Sequence, residues 1–412
     1  MRSLMLTLGG LSLAHAIALW EPTGPYHVGY TQHIFDHTTP NDPTWPGTFM
    51  LLTIYYPTLQ IPNTTVPYLD AISATIFEST IGLPAASLSQ LTTRLQFQAP
   101  TLAGTSPAFA NGTSPHATLV FTPGAGLPAS AYTAYLSDLA SHGHAVVAID
   151  HPGEAPYLPL PYGGFNGSTG IYGYPDFSNY PTTITEAFQI LAFRESDILA
   201  AVGDDAFFPA LVARYGAPFN VTHYGVFGHS VGGAAAAGVM GAEGAEKALF
   251  GAGGANLDGS LIQLLDQPAG ERDDPSVAAP DVGGVGPFLE VGSEAHFAGN
   301  ESGDATWAHF NRAQTGWLRD VQVDGTRHLD FSDIPLWIDL LGQRDRLNRT
   351  WVGPVGGERV TTVTTALLRE LFGSVEGKGL RGVDEWLEEA PELRLLFEHD
   401  PRKSVDEPHI KG

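Results

Sequence analysis

The chain has 412 residues, a formal net charge of −24, 43% hydrophobic residues and no cysteine. A chain of this length can bury a large core within one α/β domain, and so acidic a surface argues against nucleic acid and anionic membrane as main partners. Without cysteine there is no disulfide framework, so stability must come from the core.

Residues 1–16, MRSLMLTLGGLSLAHA, carry one Arg near the start, an apolar run and then Ala14-His15-Ala16. This is the pattern of a secretory signal peptide with an A-x-A-type cleavage site, too short to span a membrane. It predicts a secreted chain whose mature form begins near Ile17. No other stretch has the apolar length of a transmembrane helix. Six N-x-[ST] sequons, at Asn63, Asn111, Asn166, Asn220, Asn300 and Asn348, fit N-glycans at some of these positions.

Strands are expected over 26–35 and 49–56, separated by the turn-rich HTTPNDPTWPG, and residues 57–116 read as an excursion between strands. From residue 117 the pattern alternates between strand and helix, as in an α/β sheet. Strands are expected at 117–122, 144–150, 224–229, 248–257, 286–291 and 317–323. Helices are expected at 129–142, 181–204, 306–315, 331–341 and 359–372. The reading is one α/β domain over 17–412, with a core over about 20–345 and a helical extension over about 346–412.

The Gly-rich loop Pro123-Gly124-Ala125-Gly126 directly follows the strand at 117–122, where small residues let backbone N–H groups approach a substrate oxygen. Asp150-His151-Pro152-Gly153-Glu154 opens a Gly/Pro/Tyr-rich stretch, 155–180. That stretch reads either as a cap with apolar contacts for a substrate or as a surface loop packed by its own aromatics.

The pattern around which the chain is organised is Gly228-His229-Ser230-Val231-Gly232, a G-x-S-x-G sequence between a strand and a small-residue helix. In such a nucleophile elbow the turn is so sharp that a Cβ two residues to either side would collide with it. The helix N-terminus behind the serine offers N–H groups to a developing oxyanion. A nucleophilic serine needs a His base and an acid to orient it. Of the fifteen histidines, His328 alone after the elbow sits between a last expected strand and a helix. His296, His309, His399 and His409 read as surface or helix residues, and His229 as elbow packing. Two carboxylates compete for the acid, Asp258 in GGANLDGS and Glu294 in PFLEVGSEAH, and the pattern does not separate them.

At this point the chain resembles a known family, the platelet-activating factor acetylhydrolases of the plasma and type II class. These are secreted or lipid-facing α/β-hydrolases that cleave short acyl chains from phospholipids. The resemblance runs through GPYHVGYTQHIFDHT, FMLLTIYYPT, LVFTPGAGLPASAY, VVAIDHPGEA, FRESDI, FGHSVGG, GGANLDGS, PFLEVGSE and GTRHLDFSD, over most of residues 20–340. It implies an α/β-hydrolase fold, a mostly parallel sheet with helices on both faces. It also implies Ser230 as nucleophile, Asp258 as acid, His328 as base, and the N–H groups of Ala125 and Val231 as the oxyanion hole. No metal or cofactor is implied. The implied partner is a small-molecule ester or phospholipid substrate, met at a lipid surface. The chain departs from the family at Pro123-Gly124, where the family has His-Gly, between Asp150 and the helix at 181, and after about 342. Rival readings are a general secreted carboxylesterase or polyester hydrolase, and a catalytically silent binding protein on the same fold.

Overall fold

The computed structural model describes residues 16–39, 47–102, 106–109, 112, 114–164, 167–203, 207–215, 219–243, 249–265, 273–297, 304–347, 351–373 and 380–403. The expected signal peptide, apart from Ala16, and the sequons at Asn111, Asn166, Asn300 and Asn348 lie outside them.

Strands β1 (His27–Asp36), β2 (Phe49–Thr58), β3 (Gln96–Phe97), β4 (Thr118–Thr122) and β5 (Ala145–Asp150) come from the first part of the chain. Strands β6 (Tyr224–His229), β7 (Gly253–Leu257), β8 (Phe288–Ser293), β9 (Leu318–Val323) and β10 (Leu393–His399) follow. Together they form one ten-stranded sheet in the order β10-β9-β8-β7-β6-β4-β5-β2-β1-β3. The run from β9 to β5 is parallel throughout. Antiparallel pairings of β2 with β5 and of β10 with β9 flank it.

Parallel strands need crossovers, and those crossovers cover both faces with helices. Helices α1 (Ala71–Ile81), α2 (Thr133–Ser141), α5 (Ile334–Leu340) and α6 (Gly357–Phe372) pack with Leu119, Phe121, Val146, Phe227, Leu257 and Val291 on one face. Helices α3 (Ile184–Val202) and α4 (Val231–Glu243) pack with Val120, Val147, Ile149 and Val226 on the other. Neighbouring strand residues thus go to opposite sides, and both sides are dry. In α4 the run Ala234, Ala235, Ala236 and Ala237 is fully buried, so small side chains bring the helix behind Ser230 close under the sheet.

Several elements differ from expectation. The helix expected at 129–142 is a 3₁₀ turn, Ala129–Tyr132, followed by α2, and a 3₁₀ turn, His328–Phe331, precedes α5. The strand expected over 248–257, whose first residue lies outside the described ones, begins only at Gly253, where φ is +102°. The segment expected as a helical extension after 346 is more than that: α6 is core, and β10 closes one edge of the sheet. β10 (LRLLFEH) is largely solvated, so it lacks the apolar pattern that marks a buried strand.

Asn63 is exposed, whereas Asn220 is buried, and its amide nitrogen donates to the Ser114 carbonyl at 2.9 Å. A glycan on Asn220 would have to be attached at this buried nitrogen. No helix among the described residues is long and apolar enough to cross a membrane.

Candidate active site

Ser230 stands alone between the last residue of β6 and the first of α4, with φ at +57°. That left-handed conformation is rare for a residue with a side chain and is held only where the surroundings impose it. Here the Ser230 N–H donates to the Leu257 carbonyl at 2.8 Å, and its own carbonyl accepts from the N–H groups of Gly233 at 2.9 Å and Ala234 at 3.2 Å. A Cβ on Gly228 would overlap the Gly232 backbone, and a Cβ on Gly232 would overlap the Thr122 carbonyl. The two glycines of the motif are therefore steric requirements.

Asp258 follows β7 directly, is buried, and also has positive φ, +59°. Its Oδ2 lies 2.6 Å from His328 Nδ1, and Ser293 donates to the same carboxylate through its N–H and its hydroxyl. Burial pushes the Asp258 carboxyl up, but the His328 hydrogen bond, the His328 charge and His296 outweigh it and leave it below the usual range. The loop carrying Asp258 is stapled through Gly259. The Gly259 carbonyl accepts from Asn256 Nδ2 and Trp307 Nε1, each at 2.7 Å, and its N–H donates to Asn256 Oδ1 at 3.0 Å. Glu294, the competing carboxylate, is exposed and accepts from the Gly325 N–H at 2.6 Å instead.

His328 is half exposed and faces the cavity above Ser230. The acidic residues of RHLDFSD fix its loop. Asp330 Oδ2 accepts from the N–H groups of Arg327 and Gly353, both at 2.7 Å. Asp333 Oδ2 accepts from the Tyr68 hydroxyl at 2.6 Å and from the Ala134 N–H at 3.1 Å.

Two further histidines belong to the site. His229 Nε2 is 2.9 Å from the His328 carbonyl, which can only accept, so the ring proton sits on Nε2. Its Nδ1 then accepts from the Tyr132 hydroxyl at 2.9 Å, and the Tyr132 oxygen accepts from the Gly124 N–H at 2.9 Å. Burial, and then the neighbouring His328 charge, push His229 down to about 3, so it is neutral. It thereby joins the Gly-rich loop, the elbow and the base loop. His296, read as a surface or helix residue, lies on the short helix Glu294–Phe297 with its side chain largely covered beside the acid. Its Nδ1 lies 3.5 Å from Asp258 Oδ1 and its Nε2 2.9 Å from Asp304 Oδ2. Burial works to lower its pKa, but the hydrogen bond to Asp304 and the Asp258 charge raise it on balance.

Ser230, Asp258, His296 and His328 border a cavity of about 410 Å³. Its apolar wall is Leu127, Phe177, Tyr180, Val231, Ile262, Leu329 and Trp351, and no Lys or Arg is among the described residues lining it. The N–H groups of Ala125 and Val231 donate to no acceptor among the described residues. Both readings of 155–180 meet here. The stretch forms a hairpin, Tyr157–Pro159 with Gly170–Tyr172, and packs its own rings, with Tyr174 and Tyr180 centroids 4.3 Å apart. It also sends Phe177 and Tyr180 into the cavity wall. Trp351 comes from the segment expected as an extension, and no sequence pattern marks it.

A probable 1-alkyl-2-acetylglycerophosphocholine esterase of Arthroderma benhamiae is 26% identical over 276 residues, which is 64% of this chain and 62% of that protein. The match thus spans less than two thirds of the relative's length. The solved structure of a ferulic acid esterase from Streptomyces cinnamoneus superposes with a TM-score of 0.69 at 22% identity, over 93% of this chain and all of that one; this is a likeness of fold. The alpha/beta hydrolase family model matches residues 119–392. That span runs from the strand before the Gly-rich loop, through Ser230, Asp258 and His328, to the edge of β10, and the chain belongs to this family.

Proposed function

We propose that the chain is a secreted serine esterase acting on short-chain acyl esters, with Ser230, His328 and Asp258 as its catalytic residues. The observation that carries this reading is the 2.6 Å contact between Asp258 Oδ2 and His328 Nδ1, made beside a serine held in the left-handed region. With its Nδ1–H donated in a hydrogen bond to the carboxylate, which stays ionised, His328 keeps Nε2 free to take the proton of Ser230 Oγ. The serine oxygen attacks the ester carbonyl, and the N–H groups of Ala125 and Val231 stabilise the oxyanion that forms. Collapse breaks the acyl–oxygen bond, and the alcohol leaves with the proton from His328. Water, activated by the same imidazole, then releases the acid and restores Ser230. Removing one oxyanion donor in such a site costs about 3 kcal/mol of barrier.

The finer proposal is that the ester is the sn-2 acetyl or short oxidised acyl group of a phospholipid, supported by the motif resemblance and by the relative from Arthroderma benhamiae. A general carboxylesterase acting on neutral, aromatic-bearing esters is the second reading. It is favoured by Phe177, Tyr180 and Trp351 in a wall with no Lys or Arg among its described residues. Secretion is supported by the pattern of residues 1–16, with the mature chain starting near Ile17.

Turnover of p-nitrophenyl acetate, lost in Ser230→Ala and on organophosphate treatment, tests the esterase. Retained turnover in Ser230→Ala refutes it. A panel of 1-alkyl-2-acetylglycerophosphocholine, long-chain diacyl phosphatidylcholine and methyl ferulate separates the substrate classes. The phospholipid reading expects the acetyl phospholipid to give the highest kcat/KM. A steady rise toward long acyl chains, or methyl ferulate in first place, overturns it.

A further inference from the structure

The Gly-rich loop is held from beneath by a buried ion pair that takes no part in the chemistry itself. Arg194, on α3, is fully buried. Its Nη1 donates to Thr122 Oγ1 at 2.9 Å and to the Pro123 carbonyl. Its Nη2 donates to the Gly124 carbonyl at 3.4 Å and to Glu154 Oε1 at 2.5 Å. The same Glu154 oxygen accepts from the Gly126 N–H at 3.2 Å.

These bonds account for three successive peptide units. In the first, the Pro123 carbonyl is on Arg194 and the Gly124 N–H is on Tyr132 Oη. In the third, the Gly126 N–H is on Glu154. In the middle unit only the Gly124 carbonyl is bound, by the Leu127 N–H at 3.1 Å and by Arg194 Nη2 at 3.4 Å. A trans peptide is planar, with its C=O and N–H pointing in opposite directions. Holding the Gly124 carbonyl on the Leu127 N–H and Arg194 therefore turns the Ala125 N–H the other way, toward the cavity that Ala125 lines.

We infer that Arg194, steadied by Glu154, is a positioning residue that aims the Ala125 N–H at the reacting carbonyl oxygen; this rests on the esterase reading of Ser230. Stability alone is a poor reason for the pair. A buried ion pair can often be replaced by apolar side chains without loss, and Arg194 Nε is buried with no partner among the described residues. The planar guanidinium fork holds two carbonyls and a carboxylate at once, which a lysine ammonium cannot reproduce in the same geometry.

The test compares Arg194→Met, Arg194→Lys and Glu154→Gln with the parent chain on p-nitrophenyl acetate, and measures affinity for an aryl trifluoromethyl ketone. The ketone adds to the serine and carries an oxyanion where the ester transition state does. Arg194→Met is expected to lose about 10²-fold to 10³-fold in kcat, the scale of one oxyanion donor, with KM within threefold. Ketone affinity should fall by a similar factor. The pH midpoint of kcat/KM should stay in place, because Asp258 and His328 are untouched. Arg194→Lys should recover part of the loss, and Glu154→Gln, which keeps an acceptor for Gly126, should lose about tenfold. If Arg194→Met does not fold by circular dichroism, the other two variants decide by the same criteria. A folded Arg194→Met with kcat within threefold of the parent, a loss confined to KM, or unchanged ketone affinity overturns the inference. Failure of the esterase reading is a separate outcome, marked by turnover that survives Ser230→Ala.

Discussion

Replacing Asp258 by Asn tests the contact on which the proposed catalysis depends. In the folded chain the Ser293 N–H donates to Asp258 Oδ1, while Oδ2 lies 2.6 Å from His328 Nδ1. An asparagine must leave its carbonyl oxygen on the Ser293 N–H, because its NH₂ group would meet a donor there. The NH₂ is then aimed at His328 Nδ1, which must accept, and the ring proton moves to Nε2. That tautomer cannot take the proton of Ser230. The Ser293 hydroxyl, 3.1 Å from Oδ2, can rotate to accept from the new amide, so the loop is expected to keep its fold. The loss should be on the order of 10⁴ in kcat, or about 5.5 kcal/mol at about 1.36 kcal/mol per decade. Glu294→Gln is the control. That side chain is exposed, and its task, accepting from the Gly325 N–H, passes to an amide oxygen, so kcat should change less than about tenfold. Both variants are assayed on p-nitrophenyl acetate with circular dichroism to establish folding. An Asp258→Asn enzyme within tenfold of the parent, or a crippled Glu294→Gln, refutes the reasoning.

Gly232→Ala places a Cβ against the Thr122 carbonyl and should destabilise the chain by more than about 2 kcal/mol, read as a lower urea midpoint; an unchanged midpoint counts against the steric account of the elbow. Tyr132→Phe removes the oxygen shared by the Gly124 N–H and His229 Nδ1. Leaving those buried groups unpaired should cost about 1–3 kcal/mol each, and no shift in the melting temperature would argue against the network. Stability should also increase on mild acidification. Burial pushes Asp150, Glu195, Asp320 and Asp333 up to about 7 and Asp330 up to about 6, and raises Glu290 well above its usual range. Unfolded carboxyls titrate near about 4, so between about pH 4 and 7 the folded state binds more protons and lower pH favours it. His229, pushed down to about 3, works in the opposite sense below about pH 6.5 but is a single group. Below about pH 4 the depressed carboxyls Asp258, Asp304 and Asp400 reverse the trend. Scanning fluorimetry should therefore place the highest melting temperature between about pH 4 and 6, and a maximum at pH 8 would contradict the protonated burial of these groups.

What the sequence by itself determined is local. The strand–Ser–helix elbow follows from collisions between residues two apart, and such collisions are written in the glycines at 228 and 232. The α/β alternation was legible because parallel strands buried on both faces appear as short apolar runs such as TLVFT and AVVAID. His328 was found from its place between strand and helix. Tertiary structure decided which partners those elements meet. Asp258 and His328 stand 70 positions apart, and only the packing of β7, β8 and β9 turns that carboxylate, and not Glu294, toward the imidazole. Edge strand β10 and Trp351 carry no signal, because a solvated edge has no apolar periodicity and a loop aromatic has no spacing to obey. The partners of Arg194 and His296 carry no signal in the sequence for a related reason. A buried charge has the same letters as an exposed one, and its role is fixed by the carbonyls and carboxylates that the rest of the chain folds around it.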